Sequence, residues 1–285
     1  MDLHYTFRVG ISTAGAIVRE VCEAIWTCLA NHALPKLYTE KWLEIAEGYE
    51  KYANFPHCLG AIDGKHVRVV QPPNSGSMYY NYKNYFSIVL FAMCDANYLF
   101  TYIDVGSYGK SSDSGIFKNS KLFEKLSDGS LGIPPPTQIA DSSLHYLYVT
   151  VGDKAFPLST NLLRPYGGRH LTDTKKIFNY RLSRARCYIE CSFGILANKW
   201  RIFHRPLNVD IEFSEVLIKA ACVLHNFVRQ RDGKREDNFP QCSMQKLTFD
   251  MVSRGNPKAV SVRDKFAHYF SEIAPLDWQN KVTEG

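Results

Sequence analysis

The chain has 285 residues, of which 45% are hydrophobic and 13% aromatic, so it holds enough apolar material for one large domain, alone or with a small attachment. Its formal net charge of +6 is mildly basic. No run approaches the roughly 18 consecutive apolar residues of a membrane helix, and the N-terminal residues form no signal-peptide pattern. We therefore expect an intracellular protein with no membrane partner.

Two helices are predicted at the start of the chain. In residues 12–30, apolar side chains recur at helical spacing after Ser12 and Thr13, either of which can cap the helix. The second helix covers about residues 39–52. The sequence pattern changes after Pro56, so residues 1–54 form the predicted helical N-terminal region.

Strands dominate the middle of the chain. They are predicted at residues 66–70, 87–94 and 99–105, and the second is uniformly apolar, as is typical of a central strand. The short connection between the second and the third predicts an antiparallel hairpin. A helix is expected over residues 112–126.

The second half of the chain is mostly helical. It contains a predicted strand at residues 147–151 and predicted helices at 161–163, 174–200 and 214–231. This order predicts a mixed α/β domain over residues 55–231, with a partly antiparallel sheet. Residues 232–285 are polar and weakly patterned, and we expect a C-terminal tail that is partly disordered.

The eight cysteines are scattered through apolar segments and form no Cys-x-x-Cys pair, so reduced core thiols are the expected state. Cys187 and Cys191 would share one face of a helix. A zinc site there would need two further ligands, and no His/Cys pair follows in the sequence.

Basic residues are concentrated between residues 164 and 205, where ten lysines and arginines stand against two acidic residues. This excess fits contact with a polyanion. It equally fits a solvated helix face, and the charge pattern alone leaves both alternatives open.

Three acidic residues occupy positions where a charge is costly unless it is paired or bound to metal. Asp63 interrupts an apolar strand, Asp153 follows another strand, and Glu190 lies beside an apolar residue of the long helix. If they converge at one sheet edge, carboxylates without softer ligands favour Mg²⁺ or Mn²⁺, and such ions support phosphoryl transfer. Each residue taken alone fits a turn, a cap or an exposed helix position better.

Six stretches of the chain carry recognisable motifs: GAIDGKHVRV (60–69), YYNYKNYFSIVLFAMCDA (79–96), DVGSYGKSSDSGIF (104–117), VGDKAFPLSTNLLRPY (151–166), FNYRLSRARCYIECSFGILANKWRIF (178–203) and VLHNFV (223–228). In this order they resemble the Harbinger/PIF transposases and their domesticated nuclease relatives, which are DDE superfamily endonucleases. The resemblance covers roughly residues 5–230. It implies an RNase H-like fold, in which a mixed sheet is flanked by helices.

The resemblance also implies a catalytic triad that holds divalent metal, Mg²⁺ or Mn²⁺. Its members here are Asp63 in the DGKH motif, Asp153 in GDKAFP and Glu190 in RCYIECSFG. Lys65 departs from the small residue that is usual after the Asp-Gly pair.

Other residues of the motifs have weaker assignments. Asp104 is a further candidate metal ligand, whereas Asp113 is interpreted as a helix cap. His66 and His225 are interpreted as structural histidines rather than general bases.

The basic residues beside Glu190 are the candidates for contact with DNA phosphates. They are Arg181, Arg184, Arg186, Lys199 and Arg201. The resemblance further implies DNA and a separate Myb-like DNA-binding protein as partners, and a nuclear location, with the cytoplasm as a second compartment. A homodimer is a further hypothesis. Within the N-terminal region 1–54, residues 5–30 resemble the last part of a helix-turn-helix region whose preceding helix is missing.

The predicted function is metal-dependent hydrolysis of DNA phosphodiester bonds, with strand transfer as an extension of the same chemistry. The alternative is a domesticated, catalytically silent protein that binds DNA or a partner. A phosphatase is disfavoured because the sequence contains no P-loop, no Gly-rich nucleotide loop and no His/Cys nucleophile motif.

Overall fold

A five-stranded mixed sheet forms the centre of the protein, which a computed structural model describes for residues 2–140, 142–232, 256–277 and 279. Its strands are β1 (Cys58–Arg68), β2 (Ser87–Cys94), β3 (Phe100–Tyr108), β6 (Val149–Val151) and β7 (Leu162–Leu163). Their spatial order is β3-β2-β1-β6-β7, and β4 (Thr137–Gln138) and β5 (His145–Tyr146) form a separate ribbon. The first three strands pair antiparallel, while β6 and β7 run parallel to β1.

Helices flank this sheet. They are α1 (Asp2–Phe7), α2 (Ile11–Ala33), α3 (Thr39–Ala53), α4 (Asp113–Asn119), α5 (Lys121–Ser127), α6 (Asp173–Lys199), α7 (Ile211–Asp232) and α8 (Pro257–His268). Helices α3 and α6 pack on β1, α7 packs on β3, and α2 packs on α7. This is the predicted RNase H-like arrangement. None of the helices in the described ranges is long and apolar enough to cross a membrane.

The burial of side chains changes along β1, and this determines which of its residues are accessible to a ligand. Residues 58–62 are fully buried, whereas residues 63–66 are only partly buried. Its neighbour β2 is buried at every position, as its uniformly apolar sequence predicts. Polar side chains therefore begin at Asp63, where β1 leaves the centre of the core.

Two predicted helices differ from the observed elements. The helix expected over residues 112–126 is split into α4 and α5, because Ser120 adopts an extended backbone and its hydroxyl accepts a hydrogen bond from the Phe123 amide (3.2 Å). The short helix expected at residues 161–163 is wrong. Leu162 and Leu163 are buried and form a strand, because they pair with the edge of β6 that faces away from β1.

Part of the predicted polar tail completes the core. Helix α8 begins after Asn256, whose side chain accepts a hydrogen bond from the Lys258 amide (3.0 Å), and a π-helical turn over Tyr269–Ile273 follows it. Phe266 and Phe270 are fully buried. Residues 233–255, 278 and 280–285 of the predicted tail lie outside the described residues.

The N-terminal helices do not share one environment. Trp42 and Tyr49 of α3 are fully buried in the same core as the sheet. The α1–α2 segment instead exposes large apolar side chains, among them Phe7 and Ile11. The predicted N-terminal region of residues 1–54 thus includes a helix that is integral to the sheet domain.

Candidate active site

The parallel pairing of β1 and β6 brings two of the predicted carboxylates together. Ala61 of β1 lies opposite Val151 of β6, and two residues further along each chain stand Asp63 and Asp153. Each carboxylate accepts a hydrogen bond of 2.8 Å from a nearby backbone amide, that of Gly64 for Asp63 and that of Ala155 for Asp153. The two acids therefore meet beyond the end of β6, at the part of β1 that it leaves unpaired.

The pKa of Asp63 reflects this setting. Burial is the largest influence, and together with the negative charges of Asp153 and Asp113 it raises the pKa to about 7, against the opposing charge of Arg186. A carboxyl group of this kind is partly protonated near neutral pH, so it can both hold and release a proton there.

Asp113 is a third acid at the site, and its interpretation as a helix cap is wrong. The cap of α4 is Ser112, whose hydroxyl accepts a hydrogen bond from the Gly115 amide (3.2 Å). A Cβ added to Gly64 would lie 2.5 Å from Oδ1 of Asp113, so this carboxylate rests directly against β1. Burial and the charge of Asp153 raise the pKa of Asp113 to about 6, while the charge of Lys83 opposes them.

Glu190 reaches the site through an arginine. Arg186 lies one turn earlier on α6, and its Nη2 donates to Oε1 of Glu190 over 2.9 Å. The same guanidinium lowers the pKa of Asp63, and its buried Nε has no hydrogen-bond partner. Arg186 thus supplies the positive charge between Asp63 of β1 and Glu190 of α6.

The chemistry of these side chains fits a hard divalent cation. All the donors are carboxylate oxygens. Burial raises the pKa of Asp63 and of Asp113, and the charge of Asp153 adds to both shifts. Among the described residues, however, no three His, Cys, Asp or Glu side chains lie close enough together to hold a metal ion. Asp63, Asp113 and Asp153 therefore influence one another through their charges, while Glu190 is ion-paired with Arg186.

The fold does not place Asp104 beside Asp63. In the sheet register, Asp63 lies opposite Ala92, which lies opposite Ile103, whereas Asp104 is in the neighbouring row opposite Phe91. Successive residues of a strand point to opposite faces, so Asp104 is on the other face of the sheet from Asp63. Its carboxylate accepts a hydrogen bond from the Tyr102 hydroxyl (3.5 Å).

The predicted phosphate contacts divide into buried and exposed residues. Arg181 is 2% exposed and its guanidinium lies 4.6 Å from the ring centre of Phe270; burial lowers its pKa to about 10. Its prediction as a DNA contact is wrong, because the C-terminal segment covers it. Lys199 and Arg201 are exposed at the end of α6, whereas Arg184 is half-buried.

The two motif histidines have structural surroundings. Nε2 of His225 lies 2.8 Å from the carbonyl oxygen of Tyr98, and burial lowers its pKa to about 4. Nδ1 of His66 lies 2.9 Å from the Ser87 hydroxyl, and burial together with the charge of Lys83 also lowers its pKa to about 4. Both rings are therefore neutral at neutral pH.

Comparison with known proteins defines the class of the chain. The model of the DDE superfamily endonucleases matches residues 62–226, more than half of the chain. The protein belongs to this family, and the matched residues include Asp63, Asp113, Asp153 and Glu190.

Two curated relatives show which members of this family the chain is similar to. The chain is 28% identical over 246 residues to a protein of Arabidopsis thaliana named "Protein ALP1-like", an alignment that covers 82% of this chain and 58% of that relative. It is 27% identical over 179 residues to a protein of Rattus norvegicus named "Putative nuclease HARBI1", an alignment that covers 61% of this chain and 46% of that relative. The resemblance to Harbinger-type transposase-derived nucleases is thereby confirmed. The chain spans about half the length of these relatives, and no solved structure matches it.

Proposed function

We propose that this protein is a divalent-metal-dependent nuclease that hydrolyses DNA phosphodiester bonds. Asp63, Asp153 and Glu190 are the proposed catalytic residues, and Asp113 is added to them. The observation that carries the proposal is the meeting of Asp63 and Asp153 where β1 extends beyond β6. The negative charges of Asp153 and Asp113 add to the burial that raises the pKa of Asp63, and a cation bound there would relieve this.

Each acid would have its own part in holding the cation. Asp63 and Asp153, on adjacent strands, would bind it, and Asp63 would give up its proton as it does so. Glu190 would complete the donor set once its ion pair with Arg186 opens, and the freed guanidinium would suit a phosphate oxygen. When bound, Mg²⁺ or Mn²⁺ lowers the pKa of a water molecule and stabilises the charge that develops on the phosphate.

Strand transfer is the same substitution at phosphorus with a DNA 3′-hydroxyl in place of water, and we include it in the proposal. A Myb-like DNA-binding partner and a nuclear location are implied by the family resemblance alone, and a homodimer stays a hypothesis. The exposed Lys199 and Arg201 extend the basic part of α6 beyond Glu190, which supports DNA as the substrate.

Plasmid nicking tests the proposal. The purified protein is incubated with supercoiled DNA and Mg²⁺ or Mn²⁺, beside the variants Asp153→Asn, Glu190→Gln and Asp104→Asn. We expect metal-dependent nicking that falls by at least about a hundredfold in the first two variants. Asp104→Asn is the matched control because its carboxylate lies on the opposite sheet face. Full activity of Asp153→Asn would refute the site.

A catalytically silent DNA-binding protein is the second candidate. The observation that favours it is the ion pair of Glu190 with Arg186, since a carboxylate held in this way is not presented to a metal. A folded protein that binds DNA but nicks none with either metal would support this candidate over the nuclease.

A further inference from the structure

The loop that leads into β2 presents an aromatic ring to solvent beside the acidic site. Tyr82 is 78% exposed, although a ring of this size gains about 1.5–3 kcal/mol when it is buried. Its neighbours in the turn are Lys83 and Asn84, which are also exposed. A single exposed ring is common on a protein surface, so the case for a ligand depends on how this ring is placed and what surrounds it.

The exposure of Tyr82 is built into a fixed turn. Asn81 is buried, and its Oδ1 accepts hydrogen bonds from the amides of Lys83 (2.9 Å) and Tyr85 (3.4 Å). Its Nδ2 donates to the hydroxyl of Ser87 (2.8 Å), which also contacts His66 of β1. This network ties the turn to β1 just beyond Asp63, so the backbone that carries Tyr82 is fixed before any ligand binds.

Two positive charges lie against the aromatic rings of this turn. The ammonium of Lys83 lies 5.4 Å from the centre of the Tyr82 ring, and the guanidinium of Arg68 lies 4.4 Å from that of Tyr85. The Tyr82 ring also lies 5.6 Å from the ring of His66 on β1, three residues after Asp63. The charge of Lys83 opposes the rise in the pKa of Asp113, so the turn brings positive charge to the acidic site.

This combination is the one that binds an unpaired nucleotide. An aromatic face stacks on a base of any identity, and a lysine beside it contacts the adjoining phosphate. A base within a duplex has both its faces covered by its neighbours, so only an unpaired or extruded base can stack on Tyr82. The position next to Asp113 puts such a nucleotide close to the phosphate at the acids.

We propose that Tyr82 and Lys83 form a subsite for an unpaired nucleotide that flanks the phosphate held at the acidic site, with the base stacked on Tyr82 and the backbone contacted by Lys83. The substrate of the nuclease is then DNA with an unpaired or distorted base next to the cut. The location beside the cut rests on the proposed nuclease function, whereas the stacking subsite itself does not.

Binding measured without divalent metal tests the subsite separately from cleavage. Fluorescence anisotropy with labelled single-stranded DNA and with duplex DNA of the same sequence is recorded in EDTA for the full chain. We expect Tyr82→Ala to weaken binding of single-stranded DNA about tenfold and to change duplex binding little. Tyr82→Phe should bind as the wild type does, because the ring is retained.

Tyr38→Ala is the matched control, since Tyr38 is 54% exposed where the chain enters α3, outside the helix-turn-helix-like segment. It should leave both affinities unchanged. Lys83→Gln should weaken binding and lower the slope of log affinity against log salt concentration by the amount expected for about one phosphate contact. Unchanged binding of single-stranded DNA by Tyr82→Ala, or an equal loss on both DNAs, overturns the stacking subsite.

If the wild type nicks DNA, a duplex with one unpaired base beside the cut should be cleaved faster than a fully paired one, and Tyr82→Ala should remove that preference. A wild type that cuts nothing but still shows ring-dependent binding of single-stranded DNA would refute the nuclease and retain the subsite. Equal cleavage of both duplexes by an active wild type would place the subsite away from the cut.

Discussion

Gly64 lies where the carboxylate of Asp113 comes closest to β1. A Cβ at this position would be 2.5 Å from Oδ1 of Asp113, so Gly64→Ala must displace that carboxylate. We expect a loss of about 1–3 kcal/mol in the free energy of unfolding, together with reduced nicking. Denaturant unfolding and the nicking assay measure the two effects.

Gly15→Ala is the control for that substitution. Gly15 lies within α2 and has no atom within 4 Å of an added Cβ. This variant should be stabilised by up to about 1 kcal/mol, because alanine favours a helix over glycine. If Gly64→Ala were as stable and as active as Gly15→Ala, Asp113 would have no fixed place at the site.

The raised pKa of Asp63 gives the stability of the metal-free protein a definite dependence on pH. The pKa is about 7 in the folded chain and roughly 3.9 in an unfolded one. The folded state thus binds the Asp63 proton more tightly than the unfolded state does. The stabilisation of the folded state by this proton is complete below about pH 4 and is lost as the pH rises through about 7.

In the wild type, the free energy of unfolding should fall by on the order of 2 kcal/mol between about pH 5 and about pH 8 because of Asp63, and Asp63→Asn should remove this fall. Urea unfolding in EDTA at several pH values measures it, with Asp104→Asn as the control variant. Parallel stability profiles for the wild type and Asp63→Asn would mean that the Asp63 carboxyl titrates near its ordinary value.

Individual residues differ in how far the sequence could reveal their roles. Asp63, Asp153 and Glu190 each lie at a position where a charge is costly, but each alone fitted a structural role better, and only the family resemblance joined them as a triad. Asp113 was not recognised as a residue of the site, because it follows Ser112 at the start of a predicted helix and either residue can cap a helix. Arg181 was misassigned because its helix carries several arginines, and only the fold shows which of them is covered by Phe270.

At the scale of the elements, α6 holds Glu190 and Arg186 one turn apart and joins them in an ion pair. Removing the arginine charge should let Glu190 turn to the other acids. We therefore expect Arg186→Gln to bind Mn²⁺ about tenfold more tightly while its nicking activity falls, because the phosphate loses a guanidinium.

Isothermal titration with Mn²⁺ in the absence of DNA measures this affinity. The control is Lys199→Gln, which removes the same charge from an exposed position at the end of the same helix and should change the affinity little. Equal or weaker Mn²⁺ binding by Arg186→Gln would show that Glu190 is not a ligand withheld by the arginine.

The elements most accessible to sequence reasoning were those with a strong internal pattern. The long helix α6 and the apolar strand β2 were predicted within a residue or two of their observed ends. The short strand β7 was not, since two leucines define no period and only pairing with β6 makes them a strand. Helix α8 was missed because its buried residues are few and widely spaced.

At the scale of the whole molecule, segments from both ends of the chain share one core. Phe55, which follows α3, packs against Phe266 and Phe270 of the C-terminal segment, with ring centres 5.7 Å and 4.9 Å apart. Phe178 of α6 lies against Phe270 as well. The sheet domain is thus closed by residues that are more than 200 positions apart in sequence.

This closure predicts that a cavity at the C-terminal end destabilises the entire sheet domain. Phe270→Ala should lower the free energy of unfolding by roughly 3–5 kcal/mol, and the transitions followed by far-ultraviolet circular dichroism and by tryptophan fluorescence should shift together. Phe227→Ala, at a partly exposed position of α7, should cost less than about 1 kcal/mol. Two separated transitions in Phe270→Ala would instead show that the C-terminal segment unfolds independently. In that case the cover over Arg181 could open while the sheet stays folded, and Arg181 would again be a candidate for contact with DNA.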